Sequence, residues 1–283
     1  MKKTLLALAA AATLAFGTIA AHAEDKVIKL GTMSWEGLYP VSMVLKKALE
    51  DRGFTVEVTK FSEWGIAYAA LTGGSVELLA SQVDFVTSDY WNKNKNRLEK
   101  VGIVSHGLFD GLAVPDYVDI DSIDQLNDNI DMFGGKIIGI EPGSGIMREA
   151  KEIVDAYDLD YTLVEGSTAG MSGGLKAAID RKEPILVTMW KPTWMAQKYN
   201  MKFLKDPKGI FPPPQSFHLI AEKGFAADHP EAREIISGVF LPVDDIAAIN
   251  TAVVDGMDMD QAIQAWIDDH ASLITRWNNI KKY

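Results

Sequence analysis

The tryptophans of this 283-residue chain lie where they could do chemistry. Three of the seven come at or directly after strands predicted at 27–33, 83–86 and 185–189: Trp35, Trp91 and Trp190. In open α/β sheets a ligand binds outside the carboxyl ends of the strands, so we expect these rings at one site. An indole face attracts a cation by about 0.5–2 kcal/mol, and it is the chemistry left for a quaternary ammonium, which has no N–H to donate. The pattern therefore predicts an aromatic cage, although a single tryptophan is more often a core residue.

Polar and aromatic neighbours extend the predicted cage. Asp89 precedes Trp91 by two positions and supplies negative potential, as does Glu36 beside the first ring. Trp194 follows Trp190 by one helical turn and is predicted to join the same site. These neighbours favour a ligand that carries a positive charge or a hydroxyl group.

A glycine-rich turn separates a predicted strand from a predicted helix, and it reads Glu141-Pro142-Gly143-Ser144-Gly145. Glycines let backbone N–H groups approach a ligand closely, and the N-terminus of a helix favours negative charge. We therefore expect Gly143 and Ser144 to meet the polar head of the ligand. The alternative is an ordinary strand-to-helix turn in which the serine caps the helix.

A second motif matches the G-x-S-x-G pattern of a nucleophilic serine, and it reads Gly170-Met171-Ser172-Gly173-Gly174. That pattern requires the serine on a sharp turn directly after a strand. The preceding strand is predicted to end near Val164, several residues too early. A secreted serine hydrolase using Ser172 is the alternative hypothesis, and a binding protein without enzyme activity is the main one. No metal or cofactor is predicted, because the chain has no cysteine, no His pair at ligand spacing and no dinucleotide fingerprint.

Strand-like and helix-like segments alternate through residues 27–221, and from His229 onward the pattern is helical. Alternation of this kind predicts an α/β fold with mostly parallel sheets. Two short apolar strands, at 112–114 and 217–221, have the character of crossings between two lobes. We predict one lobe formed by residues 24–114 and 218–283, with residues 115–217 inserted as the second lobe.

The N-terminal 23 residues predict the compartment. Lys2 and Lys3 precede an apolar run that ends in the small-residue site Ala21-His22-Ala23, as in a secretory signal peptide cleaved after Ala23. Because the chain has no cysteine for a lipid anchor, the mature protein is predicted to be a soluble, periplasmic monomer. The formal net charge of −11 argues against nucleic acid as a partner, since its phosphates would be repelled.

Three segments resemble the glycine betaine substrate-binding proteins of ABC importers. They are residues 139–147, 171–179 and 183–195, and the last contains Trp190-Lys191-Pro192-Thr193-Trp194-Met195. The early Trp35 and the helix around Trp266 match as well, so that the resemblance covers nearly the whole mature chain. It implies a two-lobed periplasmic binding protein, type II-like, whose lobes are joined by a two-stranded hinge and close over the ligand.

The resemblance also implies a ligand class and a partner. Trp35, Trp91 and Trp190 map onto the family's cage for a trimethylammonium group, and an ABC permease in the inner membrane is the implied partner. Thr193 stands where the family commonly has a carboxylate-binding His. The ligand is therefore left open among glycine betaine, choline, carnitine, trimethylamine N-oxide and a sulfonium osmolyte. Presentation of the ligand to a chemoreceptor is an alternative role for the same fold.

Overall fold

The computed structural model of this protein describes residues 26–279. The predicted signal peptide and its cleavage site after Ala23 lie outside the described residues. The strands, in chain order, are β1 (Val27–Met33), β2 (Thr55–Phe61), β3 (Leu78–Ser81), β4 (Leu98–Pro115), β5 (Lys136–Ile138), β6 (Thr162–Val164), β7 (Val187–Lys191), β8 (Met201–Phe203) and β9 (Gln215–Glu222).

The helices, in chain order, are α1 (Leu38–Glu50), α2 (Trp64–Thr72), α3 (Ser88–Asn94), α4 (Gly145–Tyr157), α5 (Thr168–Arg181), α6 (Trp194–Lys198), α7 (Phe225–Asp228), α8 (Pro230–Gly238), α9 (Val243–Val254), α10 (Met259–Asp269) and α11 (Ala271–Trp277). Two short 3-10 helices cover Ile123–Gln125 and Asn127–Phe133. The chain after His229 is helical over the described residues, as predicted.

The strands follow the order β2-β1-β3-β9-β4-β7-β5-β6, with β8 paired to β4. β1 runs parallel to both β2 and β3, and β5 runs parallel to β6 and β7. β9 is antiparallel to β3 and to β4. The result is the two-lobed α/β fold that the sequence predicts, with a parallel group of strands in each lobe and antiparallel strands between them.

The hinge is formed by the long strand β4 and its neighbour β9. Over Leu98 to Leu108, β4 pairs with β9; from Phe109 onward it pairs with β7 and then β8. This change of partner at the middle of one continuous strand joins the two lobes. The predicted boundaries at residues 114/115 and 217/218 stay a prediction, and the pairing favours crossings near 108/109 and 214/215.

Buried side chains form separate hydrophobic clusters on the two sides of this hinge. The largest draws its members from residues 28–108 and 217–277. Two others draw theirs from residues 112–204 and 113–195. Each lobe therefore has a core of its own, which allows the lobes to move relative to each other without exposing either core.

The first strand and helix show how the sequence builds the wall of the site. β1 becomes fully buried from Leu30 onward, because helices and neighbouring strands cover both faces of a parallel sheet. α1 packs on it through Val41, Val44, Leu45 and Ala48, all fully buried and spaced for one helical face. Each of the three Val and Leu side chains contributes about 1.5–3 kcal/mol by burial. These contacts fix the short loop between β1 and α1 that faces the second lobe.

One predicted strand is wrong. Residues 83–86, predicted as a strand, form a turn, and the strand is instead the fully buried run Leu78–Ser81. Asp84 interrupts the apolar residues of the predicted segment. Its carboxylate bonds to His218 Nε2 at 3.0 Å and accepts from Ser216 N at 3.3 Å, which holds the turn against β9.

No single helix within residues 26–279 is long and apolar enough to cross a membrane; α8 and α9, bent by 83° relative to each other, meet the same criterion only as a pair.

Candidate ligand-binding site

A cavity of about 610 Å³ lies between the two lobes. Ligand pockets typically measure about 300–1,000 Å³, so this volume suits a small ligand with room to spare. The lining residues come from loops and strands of both lobes: Trp35, Glu36, Gly37, Leu38, Gln82, Phe85, Val86, Leu108, Phe109, Asp110, Ile140, Glu141, Ser144, Gly145, Ile146, Thr168, Trp190, Lys191, Pro192, Gln215 and Phe217.

Two of the predicted tryptophans, one from each lobe, line this cavity. Trp35 follows β1 at the carboxyl end of the strand and remains 41% exposed. Its ring meets the ring of Trp64 edge to face, with centroids 5.2 Å apart and planes at 87°, so Trp64 braces it. Trp190 lies in β7 of the other lobe and packs on that lobe's core. The structure therefore brings Trp35 and Trp190 to one site, one from each lobe.

Asp110 adjoins the second of these rings. In the antiparallel ladder of β4 and β7, Asp110 lies directly opposite Trp190. Residues that lie opposite in such a ladder have Cβ atoms about 4.5–5.5 Å apart and point to the same face of the sheet. A carboxylate and an indole thus share one face of the cavity.

Behind Asp110 lies a second carboxyl group, that of Glu149 on α4. Glu149 is only 3% exposed. Neither of its carboxyl oxygens accepts a hydrogen bond from a donor in residues 26–279, and it can bond to Asp110 only while one of the two holds a proton. Burial, followed by the like charge of Asp110, raises the pKa of Glu149 to about 8. Burial also raises the pKa of Asp110, to about 6. The hydrogen bond with Glu149 acts in the opposite direction and lowers this pKa, but the effect of burial is larger.

Two more carboxyl groups and one amine line the cavity. Burial raises the pKa of Glu36, whose backbone carbonyl accepts a hydrogen bond from Asn250 Nδ2 at 2.8 Å. Glu141 accepts from Thr168 N at 3.0 Å and from Thr168 Oγ1 at 2.9 Å, and the backbone hydrogen bond leads in holding its pKa below the usual value. The amine is that of Lys191, which donates to Asp244 Oδ1 at 2.9 Å.

The N-terminus of α4 opens onto the cavity. Ser144 lines the cavity, but its hydroxyl donates to the backbone carbonyl of Glu141 at 2.8 Å and does not cap the helix. Ser144 therefore occupies the N-cap position of α4 without making the capping hydrogen bond, and its role in binding stays a prediction. Gly145 and Ile146, the first residues of α4, line the cavity as well. Gly143 is exposed and is not part of the lining.

The turn at 82–87, which supplies Gln82, Phe85 and Val86 to the cavity, is held by buried hydroxyl groups. Tyr68 Oη lies 3.0 Å from Ser81 Oγ and 3.1 Å from Thr87 Oγ1, and these last two are 2.9 Å apart. All three residues are buried. Closed networks of this kind rigidify a site because every member is satisfied.

Asp84 ties the same turn to the hinge strand. Burial works against its charge, but the hydrogen bond and charge of His218, with Lys100, keep the pKa of Asp84 below its usual value. For His218 the balance is the reverse, since burial lowers the pKa of the imidazole although Asp84 raises it. These contacts attach the turn to β9.

Other predicted site residues are not in the lining of this cavity. The ring of Trp91 packs against the core of the first lobe, and Lys100 Nζ lies 5.6 Å from its centroid. Asp89 is exposed on α3. Thr193 is buried and caps α6 by accepting from Met195 N, whereas Trp194 packs against Tyr199 with centroids 5.8 Å apart. Their roles in binding stay predictions.

Ser172 lies inside α5, beyond its first turn, and not on a turn after a strand. The arrangement that a nucleophilic serine requires is therefore absent around this residue. Within the part of the chain that the structure describes, no group of three or more His, Asp or Glu side chains is placed to hold a metal ion.

Several lining residues were not among the predicted site residues. Phe85, Phe109 and Phe217 widen the aromatic wall, and Gln215 has a buried side-chain oxygen without a hydrogen-bond partner. The position of Asp110 next to Trp190 depends on a pairing between residues eighty positions apart. The strand predicted at 112–114 is the end of β4, and extending it backwards would have included this carboxylate.

Comparison with known proteins identifies the family of this chain. A family described as the substrate binding domain of ABC-type glycine betaine transport systems matches residues 26–269. The glycine betaine/carnitine transport binding protein GbuC of Listeria monocytogenes is 34% identical over 146 residues, which are 50% of this chain and 49% of that protein. The glycine betaine/proline betaine-binding periplasmic protein of Escherichia coli is 23% identical over 279 residues, covering 84% of each chain.

Solved structures show the same fold. Lactococcal OpuAC, in its closed-liganded conformation with glycine betaine, superposes with a TM-score of 0.71 at 28% identity, over 90% of this chain and 100% of that chain. The glycine betaine/L-proline-binding protein ProX of Borrelia burgdorferi gives a TM-score of 0.69 at 28% identity, over 90% and 97%. From the family match over most of its length, this chain belongs to the substrate-binding domains of ABC-type glycine betaine transport systems.

Proposed function

We propose that this protein binds a small methylated ammonium compound between its lobes and delivers it to an ABC importer in the inner membrane. The observation that carries the proposal is the pair Trp35 and Trp190, one from each lobe, in the lining of a single cavity. A cation between two indole faces is attracted to both, by about 0.5–2 kcal/mol for each ring.

Other residues of the cavity support the same ligand class. Phe85, Phe109 and Phe217 give apolar surface for methyl groups, and the carboxylate of Asp110 lies beside an indole. The open N-terminus of α4 offers backbone N–H groups to a polar head. A ligand that is methylated and cationic at one end and polar at the other fits these three features together.

Closure of the lobes is the signal that a permease would read. The continuous strand β4 changes partner at the hinge, and each lobe has its own core, so a rigid-body rotation is open to them. The relatives named as periplasmic proteins, together with the predicted signal peptide, support a periplasmic location. Monomeric capture followed by docking to the permease is the proposed cycle.

Calorimetric titration of the mature chain tests the ligand class. Glycine betaine, choline, carnitine, trimethylamine N-oxide and dimethylsulfoniopropionate form the panel, with glycine and ethanolamine as controls that lack the methyl groups. We expect saturable binding of a methylated compound, at least about tenfold tighter than its unmethylated control, since each tenfold step is about 1.4 kcal/mol. Equal binding of the methylated and unmethylated forms would contradict the proposal.

Uptake tests the role in import. A strain that lacks the gene should lose uptake of the radiolabelled ligand found by titration, and a plasmid copy should restore it. Normal uptake with a loss of chemotaxis toward that ligand would instead assign the protein to a chemoreceptor.

A further inference from the structure

The charges that line the cavity are unevenly matched. Three carboxyl groups face it, those of Glu36, Asp110 and Glu141, against a single amine, that of Lys191. The amine is already paired with Asp244, which lies on α9 outside the lining. The cavity therefore presents a negative field with little positive charge left to offset it.

The same cavity offers a hydrogen-bond acceptor that lacks a donor. Gln215 lines it, and the buried side-chain oxygen of this residue has no partner among the described residues. A buried acceptor is normally satisfied, so this oxygen calls for a donor supplied from outside the chain.

On the basis of the proposed function, we propose that the Asp110–Glu149 pair makes this site select a net-cationic, hydroxyl-bearing ligand of the choline type over a zwitterion that carries its own carboxylate. Asp110 lies opposite Trp190 in the β4–β7 ladder, so its charge acts on a cation held at that ring. Glu149 is buried in the second lobe, outside the lining of the cavity, and its carboxyl group forms a hydrogen bond with that of Asp110.

A zwitterion gains less in this cavity. Its carboxylate would enter a space that Glu36 and Glu141 already make negative, and like charges in a partly desolvated site repel. A hydroxyl group adds no charge, accepts from the open N-terminus of α4 and donates to an acceptor such as Gln215. Its donor and acceptor functions therefore match what the lining offers.

The protonation of the pair sets how this selectivity varies with pH. With the pKa of Asp110 near 6 and that of Glu149 near 8, the pair holds about one proton and one negative charge between these values. The charged groups around it are Arg148 and Glu152 on α4 and Lys191 on β7. Below pH 6 the pair becomes neutral, and its attraction for a cation is lost.

Choline and glycine betaine are the matched probes, because both carry a trimethylammonium group and they differ in a hydroxyl or carboxylate head. Calorimetric titration of the mature chain at pH 7 should give a Kd for choline at least tenfold below that for glycine betaine. Tighter binding of glycine betaine overturns this inference but leaves the proposed function standing. If neither choline nor glycine betaine binds, and the other methylated compounds do not bind either, this inference and the proposed function are both overturned.

Asp110→Asn tests the pair directly, because the amide keeps the shape of the carboxylate without its charge. We expect the choline Kd to rise at least tenfold and the glycine betaine Kd to change less than threefold. Asp155→Asn, which removes one charge from the exposed face of α4, should leave both unchanged. Equal weakening of both ligands by Asp110→Asn would overturn the selectivity.

The wild-type protein provides the test if Asp110→Asn does not fold. Between pH 7 and pH 5 the choline Kd should rise by about tenfold, approaching a tenfold change per unit below pH 6. The glycine betaine Kd should stay within threefold. A flat choline profile over this range would overturn the proposal.

Discussion

Replacement of Trp190 by alanine is the sharpest perturbation of the proposed cage. The indole lies in the lining of the cavity, opposite Asp110 in the ladder, and its far side packs on the core of the second lobe. Trp190→Ala removes the ring from the ligand while leaving β7 and its backbone pairing in place. We expect ligand affinity to fall steeply and the fold to survive.

The magnitude follows from two contributions. The attraction between the ring face and a methylated cation is about 0.5–2 kcal/mol. If the ring also covers roughly 40 Å² of apolar ligand surface, its loss costs about 1 kcal/mol more, at about 25 cal/mol per Å². Together these terms give about 1.5–3 kcal/mol, or a Kd raised about 10- to 150-fold.

The assay is calorimetric titration with the tightest ligand of the panel, together with urea denaturation of each variant. Trp190→Phe keeps an aromatic face and should lose less affinity than the alanine variant. Tyr117→Ala changes an aromatic side chain that is 44% exposed on the second lobe and should bind normally. Wild-type affinity in folded Trp190→Ala would refute the cage.

Two further predictions concern charged groups. The pKa of Glu149 is raised from 4.5 to about 8 in the folded chain, so the unfolded chain releases this proton first as pH rises. The free energy of unfolding therefore falls as the pH rises between those two values, by at most about 1.4 kcal/mol per pH unit. Urea denaturation at several pH values should show that Glu149→Gln removes this slope. An unaltered slope in the variant would contradict a buried, protonated carboxyl group at Glu149. Asp244→Asn releases the amine of Lys191 toward the cavity and should shift the choline-to-betaine affinity ratio toward glycine betaine by roughly threefold, while stability changes by less than about 1 kcal/mol. An unshifted ratio in calorimetry would show that this amine does not act on the ligand.

Local patterns predicted the first strand and the tryptophan that follows it. Val27–Met33 is the observed β1, because its apolar run and the helix start after it are both local signals. Trp35 consequently lies at the carboxyl end of a strand, as expected. Trp190 is predicted to close a strand and is found inside β7, one position from its end. Both rings line the cavity.

Trp91 shows where local patterns were insufficient. Its predicted place relied on a strand at 83–86, which the structure shows as a turn held by Asp84 and by the hydroxyl of Thr87. The partner of Asp84, His218, is 134 positions away in the sequence, so no local pattern signals this turn. Trp91 therefore lies in α3 and not at the end of a strand.

The acid pair was beyond prediction for a similar reason. Asp110 and Glu149 are thirty-nine positions apart, and only the packing of α4 on the β4–β7 ladder brings their carboxyl groups together. In the sequence alone, Asp110 and Glu149 are two acidic residues among many in a chain whose formal net charge is −11. Spacing in sequence carries no signal of a contact that is made through tertiary structure.

A crystal structure with the tightest ligand of the panel tests the central claim most directly. We predict the methylated nitrogen between the rings of Trp35 and Trp190, within about 6 Å of both centroids, with the polar end near the N-terminus of α4. Ligand density elsewhere, for example in the separate cavity of about 720 Å³ that Ser172 and Trp194 line, would contradict the account.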